Sequence, residues 1–167
     1  SAASDVYKRQ KQYREWQITE YHSDLSGLVK HLGERESLDE LNYLGKLLEM
    51  QFDGDREKFV AAVAHGEYAG SVKDLINLAQ NLDCYWLYPT VQSEEDYGRY
   101  LIDELDELEL PEEAKKYFMY EDYGRDAVIK DKGRFTEQGY IYNNQNTFTE
   151  WYDCLLYTSD AADDLIG

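Results

Sequence analysis

The chain has little cysteine, few cations and no long apolar run, and each shortage closes off a class of protein. Only two cysteines occur in 167 residues. Cys154 falls in a C-terminal stretch unlike the rest of the chain, which leaves Cys84 inside "NLDCYWLYP". One thiol makes neither an internal disulfide nor a zinc site. Tyr85, Trp86 and Leu87 follow it and no nearby Lys, Arg or His lowers its pKa, so it reads as a small buried residue. Nothing approaches the ~18 consecutive apolar residues of a membrane span, no signal peptide is visible, and a reducing cytoplasm is the expected setting. Lys and Arg number 17 against 35 Asp and Glu, a formal charge of -18.

The two ends stand apart from the rest. "SAASDVYKRQ" (Ser1 to Gln10) and "CLLYTSDAAD" (Cys154 to Asp163) read from one DNA duplex. The string tgtctcttatacacatct encodes Cys-Leu-Leu-Tyr-Thr-Ser, and its reverse complement in a shifted frame encodes Asp-Val-Tyr-Lys-Arg-Gln. That string is a transposon end used to prepare sequencing libraries. Residues 1–10 and 154–167 are therefore expected to be non-native tails, outside fold reasoning. Lys11 to Asp153 keeps 31 acidic and 15 basic residues, so the acidity belongs to the natural segment. Its tyrosines, three tryptophans and regular leucine spacing argue for a folded protein with one or two small cores.

The expected fold class is α+β: a small helical bundle, then an α/β domain with a three-stranded antiparallel sheet. "REWQITEY" (Arg14 to Tyr21) alternates like a strand and closes a remnant of an earlier domain, residues 11–36. The helical domain is expected over 37–82. Ser37 and Glu40 make a capping box ahead of a Leu41, Leu44, Leu48 stripe. A second helix runs from Asp55 to His65 with Phe59, Ala62 and Val63 inward and Gly66 as C-cap, and a third starts at Ser71. Residues 83–153 are expected to form the α/β domain, with a strand in "DCYWLYP" and a hairpin pairing Gly139 to Tyr142 with Thr147 to Tyr152.

Between them lies the densest charge. "SEEDYGRYLIDELDELEL" (Ser93 to Leu110) reads as one helix carrying Glu94, Glu95, Asp96, Asp103, Glu104, Asp106, Glu107 and Glu109 against Arg99 alone. From Glu94 to Glu109, sixteen residues at about 1.5 Å each span about 24 Å, or roughly one net charge per 3.4 Å, close to the axial charge spacing of one B-DNA strand. Tyr97, Leu101, Leu105 and Leu108 form its anchoring stripe. Glu112, Glu113, Glu121, Asp122 and Asp126 extend the acidic surface, offset by Lys115, Lys116 and Arg125. A helix face kept acidic for solubility is the plain alternative.

Other chemistries find less support. "DGD" at Asp53 to Asp55 lacks the spacing and closing Glu of a calcium loop and reads as a turn with a helix cap. His22, His31 and His65 lack metal-ligand spacing, and "GEYAG" (Gly66 to Gly70) lacks the Lys and Ser or Thr of a phosphate loop. Carboxylate pairs abound without one marked for acid–base work. Neither an enzyme nor a cofactor or metal is expected.

"GEYAGSVKDLINLAQNLDCYWLYP" together with "EEDYGRYLIDELDELELPEEAKKYFMYEDYGRDAVI" resembles the ArdA family of antirestriction proteins. "YGRYLIDEL" (Tyr97 to Leu105), Pro111 and "YEDYGRDAVI" (Tyr120 to Ile129) are the most specific elements, and the likeness covers about Arg14 to Asp153. It implies an elongated acidic dimer from mobile genetic elements that mimics DNA. Such a protein occupies the DNA-binding groove of type I restriction-modification enzymes, without binding nucleic acid or membrane itself. Dimerisation through the C-terminal domain would fall on "GYIYNNQNTFTEWYD". The mimic surface is expected to centre on Asp103, Glu104, Asp106 and Glu107, supported by Asp96, Glu112, Glu113, Glu121 and Asp122. Two rivals remain: an acidic adaptor for another basic nucleic-acid-binding protein, and a small hydrolase.

Overall fold

The computed structural model describes Leu28, Leu32 and residues 37–153. The tails at 1–10 and 154–167, the strand expected over Arg14 to Tyr21, His22 and His31 lie outside the described residues. In those that are described, the protein is α+β, with helices and one three-stranded antiparallel sheet. Contacts divide it into two compact units, one through Leu82 and again from Thr147, the other Asp83–Asn146.

The first unit contains α1 (Leu38–Glu49), α2 (Asp53–His65) and α3 (Val72–Ala79). Ser37 Oγ accepts from Glu40 N at 3.4 Å and Ser71 Oγ from Asp74 N at 3.1 Å, so both caps satisfy amides that the helix itself cannot. Leu41, Leu44 and Leu48 are buried, as their spacing predicts. α2 buries five consecutive residues, Phe59 to Val63, because apolar side chains surround its second half; the stripe read from the sequence was too narrow. The "DGD" acids Asp53 and Asp55 lie in its first turn, and Gly66 (φ 89) closes it in the left-handed conformation.

Thr147–Asp153 belongs to this same unit and forms no strand, which corrects the expected hairpin. Its backbone is held by asparagines one turn apart on α3 and just beyond it. Asn77 donates to Tyr152 O at 2.7 Å and accepts from Tyr152 N at 2.9 Å. Asn81 does the same with Thr149, at 2.8 and 3.0 Å. Each side-chain amide thus satisfies backbone groups that no strand neighbour or helix provides for. Lys73 pairs with Asp153 at 2.9 Å, Tyr152 stacks on Tyr43, and Phe148 stacks on Tyr68.

The second unit contains β1 (Tyr85–Tyr88), α4 (Glu94–Arg99) continuing into a π-helical turn at Tyr100–Glu104, α5 (Glu112–Lys115), α6 (Tyr120–Asp131), β2 (Arg134–Thr136) and β3 (Gly139–Asn143). The sheet order is β1-β3-β2, with Trp86 opposite Tyr142, Tyr88 opposite Tyr140 and Phe135 opposite Tyr140. The third strand is therefore the short "RFT" before β3. The unit's two ends are laced together: Asn144 N donates to Cys84 O at 2.8 Å, and the Asn144 and Asn146 amides both donate to Asp83 O. Its core is aromatic, with Tyr97, Tyr140, Val91 and Leu101 buried and Tyr88, Tyr100, Tyr123, Phe135 and Tyr142 packed around them.

Candidate functional site: an acidic double-helix face

The acidic segment is shorter and more bent than a single helix through Leu110. Ser93 Oγ caps α4 through Asp96 N at 3.1 Å, and Asp96 Oδ2 accepts from Gln92 N at 3.1 Å. After Arg99 the helix widens: Leu105 N reaches back five residues to Tyr100 O at 3.1 Å. It then stops at Asp106, which takes the left-handed conformation (φ 49), while Glu107 N closes on Leu101 O at 3.0 Å. Continuing the helix would stack Asp103, Glu104, Asp106 and Glu107 on one another at spacings of three and four residues, where like charges repel. Leu105 and Leu108 are 49% and 41% exposed, so the expected anchoring stripe ends at Leu101.

A second helix stands against the first through a repeat that is present in the sequence but escapes a residue-by-residue reading. "EDYGR" occurs twice, at Glu95–Arg99 on α4 and at Glu121–Arg125 on α6. The glycines face each other. A Cβ on Gly98 would overlap the carbonyl oxygen of Tyr120, and one on Gly124 would overlap that of Glu94. Only two bare backbones fit this crossing, which sets the first turn of each helix against the glycine turn of the other. Each first turn also favours its carboxylates through the positive end of the helix dipole.

Three cations hold carboxylates of this surface, and one of them joins the two helices. Arg125 reaches three carboxylates at once: Glu94 on α4 at 3.0 Å from Nε, Asp122 at 2.9 Å from Nη1 and Glu121 at 3.1 Å from Nη2. Its pKa is raised, above all by Glu94. Arg99 pairs with Glu95 at 2.9 Å and lies 4.4 Å above the Tyr120 ring. Lys115 pairs with Glu112 at 3.1 Å and approaches Asp103 at 3.8 Å; the Glu112 hydrogen bond raises its pKa. Two tyrosines of α6 extend the network, Tyr120 OH donating to Asp103 at 3.2 Å and Tyr123 OH to Glu107 at 2.7 Å. Burial, and then the Glu107 hydrogen bond, pushes the Tyr123 hydroxyl up to about 12.

The thirteen predicted carboxylates therefore fall into two groups. Glu94, Glu95, Asp103, Glu112, Glu121 and Asp122 are joined by Arg99, Arg125 and Lys115, six anions on three cations. Asp96, Glu104, Asp106, Glu107, Glu109, Glu113 and Asp126 form no ion pair among the described residues, and all seven are exposed. The bridging cations and the two tyrosines were not among the predicted site residues.

A family model described as antirestriction protein (ArdA) matches residues 2–142, which takes in the whole acidic network. The chain belongs to the ArdA family. The ArdA match begins inside the ten residues read as a tail and ends within β3, before the segment held by Asn77 and Asn81. No curated protein matches the chain. Antirestriction is thus the activity that ArdA membership gives this protein, an inhibitor's role. Among the described residues no helix is long and apolar enough to cross a membrane.

Proposed function

We propose that this ArdA protein is a DNA mimic that occupies the DNA-binding groove of type I restriction-modification enzymes and so blocks restriction. One observation carries the reading: six carboxylates from α4, its π-helical turn, α5 and α6 are ordered by three cations, which they outnumber two to one, so they are fixed in place without being neutralised. A basic groove gains affinity from duplex DNA when phosphates displace condensed counterions. A folded acidic surface offers similar charge, is steered to the groove by its field, and presents no bases to read or cut. Because contacts of the phosphate type carry no sequence information, enzymes of different specificity share the same vulnerability. Dimerisation through residues 83–153, with "GYIYNNQNTFTEWYD" at the interface, belongs to the same proposal.

The test is DNA cleavage by a purified type I enzyme, with phage plating on a restricting host beside it. The comparison variant replaces Asp103, Glu104, Asp106 and Glu107 by amides. D103N and E107Q each keep an oxygen that accepts from Tyr120 or Tyr123, so the fold is retained while the charge falls. Inhibition should weaken steeply with added salt and fall strongly in the four-amide variant, with single substitutions costing little. Undiminished inhibition by the four-amide variant overturns the mimic. Loss of all activity on one substitution favours a hydrolase, and untouched cleavage by the type I enzyme favours an adaptor.

A further inference from the structure

We infer that Arg125 is a positioning residue of the acidic surface, so that removing this cation weakens inhibition even though it makes the protein more negative. The inference rests on the mimic reading above and runs against its simplest form, in which only the summed charge counts. Arg125 is the one side chain among the described residues that grips carboxylates on both helices of the crossing. Its planar fork directs Nε, Nη1 and Nη2 at Glu94, Asp122 and Glu121 respectively. Glu121 and Asp122 are neighbours in the first turn of α6, and Glu94 opens α4, so three anions from two first turns converge on a single group. Without it they repel one another and sample separate rotamers. A partner groove must then order all three on binding.

Geometry makes the fork hard to replace. Gly98 and Gly124 fix the helices at backbone contact, so the site for a guanidinium between Glu94 and the α6 turn is set by the main chain. A lysine in the same place is a point charge without the rigid fork that meets three oxygens in different directions. Lys130, in the last turn of the same helix, provides the matched control: it is exposed and forms no ion pair among the described residues. Arg125→Gln and Lys130→Gln change the net charge by the same single unit, and only the first takes an organiser away from carboxylates.

The experiment measures inhibition of type I cleavage by the full chain and its R125Q, R125K and K130Q variants across a salt series, with urea unfolding of each alongside. R125Q should inhibit about tenfold less well than the parent, the size expected when three rotamer-rich side chains must be ordered by the partner. R125K, with unchanged net charge, should lose about threefold, because part of the convergence is kept. K130Q should equal or exceed the parent. R125Q matching K130Q at equal stability overturns the inference while leaving the mimic intact. If R125Q does not fold, R125K decides, and parental inhibition by R125K overturns the inference. Failure of the mimic itself appears elsewhere, as undiminished inhibition by the four-amide variant or none by the parent.

Discussion

The two units carry similar charge and are built from different materials. The described part of the helical unit, residues 37–82 and 147–153, has ten acidic and four basic residues; the sheet unit, 83–146, has sixteen and seven. Acidity per residue therefore does not distinguish them. The helical unit is held by aliphatic side chains on broad helix faces, such as Leu44, Leu75, Ile76 and Leu78, with two asparagines gripping the Thr147–Asp153 segment. The sheet unit holds nine of the sixteen tyrosines and closes its helix pair with glycine on glycine. Where carboxylates occupy the faces that would otherwise pack, the chain dispenses with side chains at the crossing. It then uses phenol rings that are apolar along their length and hydrogen-bonded at the tip.

That contrast breaks most sharply at the glycines. Gly98→Ala or Gly124→Ala forces a methyl group into a backbone carbonyl and should destabilise the sheet unit by about 3 kcal/mol or more. Gly54→Ala, on α2 with nothing within 4 Å of the added atom, should be neutral or stabilising by up to about 1 kcal/mol. Equal effects in urea denaturation at the two kinds of site would refute the backbone-contact account.

Next in size is the asparagine clasp. Asn77→Ala leaves the buried amide and carbonyl of Tyr152 without their partner and should cost about 2 to 3 kcal/mol, chiefly in the helical unit. Hydrogen exchange at the Tyr152 amide reports it directly, and unchanged protection there would show that the clasp is incidental.

Alkali should separate the units more gently. Burial raises the hydroxyl pKa values of Tyr88, Tyr97 and Tyr140, with Asp131 adding to the shift at Tyr97 and Tyr140. Tyr97 OH donates to Asp131 at 2.5 Å and Tyr140 OH to the same oxygen at 3.2 Å. Below the ordinary value of 10.0, folded and unfolded chains both keep these protons. Above it the unfolded chain releases them first, so stability is lost as pH rises from 10.0 through about 12, the value reached at Tyr123. Tyrosinate absorbance should rise in two stages, the later one together with loss of sheet-unit structure. A single titration near the ordinary value would contradict the buried hydroxyl network.

The smallest expected effect is Asp106→Asn, which keeps a residue tolerant of the left-handed conformation and removes one charge. Inhibition should change by less than about twofold if a summed field is at work. A tenfold loss would single out that carboxylate.

The helix caps at Ser37 and Ser71, the leucine stripe of α1, and β1 were all legible, because each depends on residues within a few positions of one another. The stop at Asp106 was not, since helical periodicity ran on past it and the left-handed turn shows only in the backbone. "RFT" was too short to stand out as a strand, and "TFTEWY" has the alternation of one but gives its hydrogen bonds to two side chains. Of the site, the anions could be counted from the sequence. What arranges them, the facing glycines of a repeated pentapeptide and the triple grip of Arg125, becomes visible only once α4 and α6 are side by side.

The lacing of Asp83 and Cys84 to Asn144 and Asn146 has a practical outcome. A module whose entry and exit adjoin is topologically an insert: residues 83–146 can be lifted out as a cassette and grafted into a surface loop of an unrelated carrier without stretching either junction. By the same logic, cutting the chain just after Asn146 spares the cassette and strips the helical unit of its last seven described residues.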